Sequence, residues 1–140
     1  MTSVRYSRTI RYVAASPNGG TPRPYLAVTL VSEGVESPRI LAVVDSGADR
    51  SLFHEDIAVA MGLALSPPEI AQGQTQELAI RYADVILKVA GKQFAARAGF
   101  SRGAPMWAGF LGRADFFRAF DVGFDERGQR LLLQPLLDTT

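Results

Sequence analysis

Apolar residues occur along the chain in short runs, separated by polar or glycine- and proline-rich breaks. Residues 6–14 mix polar and apolar positions and are expected to form a strand. Residues 16–22 (SPNGGTP) have the composition of a loop. Residues 25–31 (YLAVTLV) are rich in β-formers, and a polar turn region over 32–38 follows them. Residues 39–44 (RILAVV) form a nearly unbroken apolar run, the pattern of a strand covered on both faces. The run ends in Asp45-Ser46-Gly47-Ala48-Asp49, a turn-forming cluster. Residues 54–62 (HEDIAVAMG) have a helical pattern. Glu55 and Asp56 complement the dipole in the first turn, Ile57, Ala60 and Met61 share a face, and Gly62 stands at a C-cap position. His54 is expected at the surface of this helix start.

Residues 83–89 and 93–100, joined by a turn at Gly91-Lys92, are expected to form a hairpin. Phe110-Leu111-Gly112 is a second transition from apolar residues into glycine. Residues 113–120 are expected to form a short helix. Residues 122–125, a turn at 126–129 and residues 130–133 make a closing hairpin. This gives seven to nine short strands and two short helices. Such a pattern suits a mostly β, closed or folded-over architecture with few free edges.

The length of 140 residues fits one domain, spanning 1–140. Lys and Arg total 15 against 14 Asp and Glu, so no strong field steers the protein toward nucleic acid. Cysteine is absent, which removes thiol nucleophiles, disulfides and thiolate metal sites. The one histidine, His54, removes histidine-rich metal clusters, and no metal or organic cofactor is implied. The opening residues carry Arg5, Arg8 and Arg11, expected on a solvated strand face, and lack the apolar core of a secretory signal. No run approaches the roughly 20 apolar residues of a membrane span. A cytoplasmic protein without membrane attachment is the default expectation.

The candidate chemistry lies in the two apolar-to-glycine transitions. At the first, an apolar strand delivers Asp45 into a turn. There the Ser46 hydroxyl can bond nearby backbone, and Gly47 permits a close approach. Alone, Asp-Ser-Gly is a common turn. Paired with Phe110-Leu111-Gly112-Arg113 and the following Ala114-Asp115-Phe116-Phe117-Arg118-Ala119-Phe120-Asp121-Val122-Gly123-Phe124-Asp125, the sequence resembles the retroviral-type, or retropepsin-like, aspartic proteases. The resemblance covers about residues 25–133. It implies a small closed β-barrel with one or two short helices, one lobe per chain.

The resemblance also implies roles. Asp45, Ser46 and Gly47 match the catalytic turn, with Ser46 bonding across a dimer axis. Ala48 and Asp49 match residues that line the substrate cleft and bond peptide backbone. Gly112 and Arg113 match the supporting motif, and Arg113 is expected to pair with Asp49. A flap hairpin is expected over 68–80 with Gly73 near its tip, although this stretch has a single glycine where viral flaps have several. Trp107 is placed at a side-chain pocket. The first strand and residues 131–133 are expected to meet at a dimer interface.

One chain holds one Asp-Ser-Gly, hence half of a carboxylate pair. A peptidase would therefore be a symmetric homodimer acting on peptide or protein substrates, with Asp45 from each subunit at the two-fold axis. Two like charges about 4 Å apart repel by about 4 kcal/mol at an effective dielectric of 20. That is worth about three pKa units, so such a pair retains a shared proton. The alternative is a non-catalytic retropepsin-like module for dimerisation or peptide binding. A β-barrel nucleic-acid binder is disfavoured, because no basic, aromatic-interleaved patch is present.

Overall fold

The computed structural model describes residues 4–14, 20–72, 77–106 and 108–137. These form strands β1 (Arg8–Arg11), β2 (Tyr25–Ser32), β3 (Val35–Glu36), β4 (Ile40–Val44) and β5 (Leu52–His54), then helix α1 (Glu55–Met61). After them come β6 (Glu69–Gln72), β7 (Glu77–Val89), β8 (Lys92–Ser101), β9 (Ala108–Leu111), helix α2 (Phe116–Ala119), β10 (Phe120–Asp125) and β11 (Arg130–Pro135).

Strand alternation builds the core. In β2, Leu26, Val28 and Leu30 point inward while Tyr25, Ala27 and Thr29 are half-buried. In β4, Ile40, Ala42 and Val44 do the same. Period-2 patterning of this kind places one face of each strand against the interior. The sheet order is β3-β2-β4-β9-β5-β8-β7-β6, and β2 also pairs with β7. That extra pairing closes β2, β4, β9, β5, β8 and β7 into a six-stranded barrel, so the expected closed architecture is present as a single lobe. Phe53 and Phe100 fill it, with ring centroids 6.1 Å apart.

Several boundaries differ from the sequence expectations. The β7–β8 turn is Ala90-Gly91, both with positive φ (49° and 76°), and Lys92 already begins β8. The buried positions of α1 are Ala58 and Met61, with Ile57 partly buried and Ala60 exposed. His54 is buried: its Nδ1 accepts a 3.0 Å bond from the Asp56 N–H and caps α1, a role its expected surface placement did not include. Gly62 closes the helix in the left-handed conformation, as expected. The second helix is only α2, because Asp115 ends the preceding turn as its N-cap.

β1 pairs with β11 within the chain (Arg8 opposite Leu133, Ile10 opposite Leu131), and β11 also pairs with β10. The first strand and residues 131–133 therefore meet inside one subunit. Leu131 and Leu133 are fully buried by it, because the three-stranded sheet lays that face on the core. Arg5 and Arg11 are exposed, whereas Arg8 is half-buried beside Gly91. Among the described residues, no helix is long and apolar enough to cross a membrane.

Candidate active site

Strands β4 and β9 run parallel, with Val44 opposite Leu111, so both end at the same place. β9 also touches β5, at Leu52–Phe110. β9 thus separates two strands that are neighbours in sequence, and residues 45–51 must cross its end to pass from β4 to β5. That crossing carries the Asp-Ser-Gly turn.

The crossing is held by main-chain bonds. Asp45 N–H donates to Leu111 O at 3.0 Å, Arg113 N–H to Ala48 O at 2.8 Å, and Ala114 N–H to Asp49 O at 2.8 Å. Within the turn, Ala48 N–H donates to Asp45 O at 3.2 Å and Gly47 N–H to the Asp45 carboxylate at 2.8 Å. Asp45 is half-buried, while Ser46 and Gly47 are exposed. The carboxylate is thus oriented from one side by backbone and open on the other.

Gly112 lies directly beneath the crossing. A Cβ there would stand 2.5 Å from the Arg50 carbonyl oxygen and 2.8 Å from that of Ala48, both rigid backbone. Only glycine lets the two segments approach this closely. Beside it, buried Ser51 donates through Oγ to Asp115 Oδ1 at 2.5 Å and through its N–H to Oδ2 at 3.1 Å. Gly112 N–H donates to Ser51 Oγ at 3.1 Å, and Phe116 N–H to Asp115 Oδ1 at 2.6 Å. The buried carboxylate therefore accepts three donors, which offsets its removal from water.

Against solved structures, the chain is similar to a retropepsin-like aspartic protease from Rickettsia conorii. The TM-score is 0.53 and the identity 16%, over 95% of this chain and 96% of that one. This chain has the retropepsin-like fold. A protease of EIAV, solved with an inhibitor, aligns with TM-score 0.48 and 17% identity over 72% of this chain and 88% of that one. No protein-family model and no curated protein matches the sequence.

Within this retropepsin-like lobe, Asp45, Ser46, Gly47, Ala48 and Asp49 share one loop, and Gly112 and Arg113 lock against it. The expected Asp49–Arg113 ion pair is absent from the ion pairs of the described residues. Main-chain bonds hold the two segments and leave both side chains exposed. The hairpin expected over 68–80 is formed by β6 and β7, with Glu69 opposite Ile80 and Gln72 opposite Glu77. Gly73 and Trp107 lie outside the described residues. Ser51 and Asp115 were not among the expected site residues. The available signal was an aspartate just before an apolar helix, the usual N-cap pattern. Among the described residues, no group of three or more His, Asp or Glu side chains could hold a metal ion.

Proposed function

We propose that the chain is one subunit of a homodimeric aspartic endopeptidase, in which the two Asp45 carboxylates face each other across a two-fold axis. The observation that carries this reading is Asp45 itself. It ends a barrel strand, is oriented by Leu111 O and Gly47 N–H, and is open on its other side, in a fold matched by an aspartic protease. Two such carboxylates share one proton, as aspartic-protease dyads do. The ionised member takes a proton from a bound water, whose oxygen attacks the scissile carbonyl carbon. The protonated member donates to the carbonyl oxygen. The tetrahedral adduct then collapses, and a proton passes to the leaving amine.

Ala48 and Asp49 would bond the substrate backbone, Ser46 would bond across the axis, and the β6–β7 hairpin would cover the cleft and exclude water. Gly73 at its tip and Trp107 at a side-chain pocket complete the proposed substrate contacts. The scarcity of glycine in the hairpin favours a second reading, a dimerising or peptide-binding module without catalysis. Incubation with an unstructured peptide library from pH 4 to 7, beside Asp45→Asn, separates the two. Cleavage by the wild type alone supports the peptidase, equal cleavage by both proteins excludes Asp45 as its centre, and cleavage by neither leaves the binding module.

A further inference from the structure

Arg50 follows Asp49 in the loop that crosses β9, so it belongs to the same short segment as Asp45. Its side chain reaches away from that loop to the stem of the β6–β7 hairpin, where the guanidinium carbon lies 6.0 Å from the centre of the Tyr82 ring. Tyr82 is fixed in turn: its N–H donates to Ser66 Oγ at 2.8 Å, and its carbonyl accepts from Ser66 N–H at 2.9 Å. Cation–π contact with an anchored ring restricts a side chain that would otherwise sample many rotamers.

Beside Tyr82 the barrel wall is hollow. Gly99 has no side chain, and a Cβ there would meet Ile80 at 2.9 Å, Leu52 at 3.3 Å and Tyr82 at 3.4 Å. These half-buried groups make an apolar cup between the crossing loop and the hairpin, with Arg50 on its rim. Arg97 also stacks on Tyr82, at 5.9 Å, but pairs with Asp84 at 3.3 Å. Arg50 has no such carboxylate among the described residues, and it is exposed. The rim therefore carries an uncompensated, pre-oriented guanidinium, which suits a carboxylate.

We propose that Arg50 is a specificity residue selecting peptides with an acidic side chain near the scissile bond, its aliphatic stem in the Leu52–Ile80–Tyr82 cup. The proposal rests on the peptidase or peptide-binding reading above, because a peptide lying between the loop and the hairpin must pass Arg50.

The test uses the full chain and short fluorogenic peptides of one sequence, with Glu, Gln or Lys placed in turn at each position flanking the cut. At one position, Glu should exceed Lys in kcat/KM by about fivefold near 0.05 M salt, and less near 0.5 M. Arg50→Gln should level this preference and Arg50→Glu reverse it, while Arg118→Gln on α2 should leave it in place. A wild type indifferent to charge, or a preference that survives Arg50→Glu or is lost equally in Arg118→Gln, overturns the proposal. If nothing is cleaved, the peptidase reading fails separately, and fluorescence anisotropy with the same peptides decides. Tighter binding of the Glu peptide, reversed by Arg50→Glu, upholds the role of Arg50, and no binding or no preference overturns it.

Discussion

Ser51 Oγ and Asp115 Oδ1 lie 2.5 Å apart in the interior, although 64 positions separate them in sequence. Through this contact the loop bearing Asp45 is tied to the start of α2. Removing the carboxylate strands three buried donors at once, and each unsatisfied group costs about 1–3 kcal/mol. Asp115→Ala should therefore lower stability by at least about 3 kcal/mol, and Ser51→Ala by about half as much, because Ser51 keeps its N–H bond. Urea midpoints of the two variants check the order. An equal, small effect would mean that the contact contributes little.

Gly112→Ala should be among the most damaging single-methyl changes. The added carbon meets main chain at Arg50 and Ala48, which cannot rotate away. A loss of about 3 kcal/mol or more is expected, with disordering of the Asp45 turn. Thermal unfolding and activity should fall together. A variant as stable as wild type would show that the crossing has room to move.

Ala90 sits at φ 49° in the two-residue turn between β7 and β8, followed by Gly91 at 76°. Alanine is penalised in the left-handed region, whereas Asn-Gly is the favoured pair for such turns. Ala90→Asn should raise stability by about 0.5–1 kcal/mol without changing activity, read from the denaturation midpoint.

The hairpin of β10 and β11 supplies a pH dependence. Gly128 N–H donates to Asp125 Oδ1 at 2.9 Å, and Arg130 Nε to Oδ2 at 2.9 Å. The Gly128 bond first, then Arg130, hold the Asp125 carboxyl below its ordinary value. A carboxyl lowered in the folded state favours folding above its unfolded pKa of about 3.9, and that contribution disappears as pH falls through the folded value. Asp125→Asn should therefore show a shallower loss of stability below about pH 4 than wild type does. Parallel acid-unfolding curves for the two proteins would contradict this.

What was legible in the sequence was mostly local. The β7–β8 hairpin, the Gly62 helix end and the Asp45 turn follow from residues within a few positions of one another. Even so, His54 was misplaced, because a histidine nitrogen is not among the usual N-cap acceptors. The crossing of residues 45–51 over β9 was not legible from strand patterns, which give no strand order. The two glycine motifs mark where the crossing occurs, but the Ser51–Asp115 bond that secures it joins residues brought together only by the barrel. The intramolecular pairing of β1 with β11 is of the same kind. Edge strands rich in apolar residues can pair within a chain or between chains, and alternation looks alike in both cases.

The central claim is that two Asp45 carboxylates, one from each subunit, form a single catalytic centre. Mixing wild type with Asp45→Asn under conditions of subunit exchange tests it most directly, with peptide cleavage measured at constant total protein. If both carboxylates are required, activity follows the square of the wild-type fraction, falling to about one quarter in an equal mixture. A linear fall to about one half would mean that each chain works with its own Asp45 alone, and would contradict the shared centre.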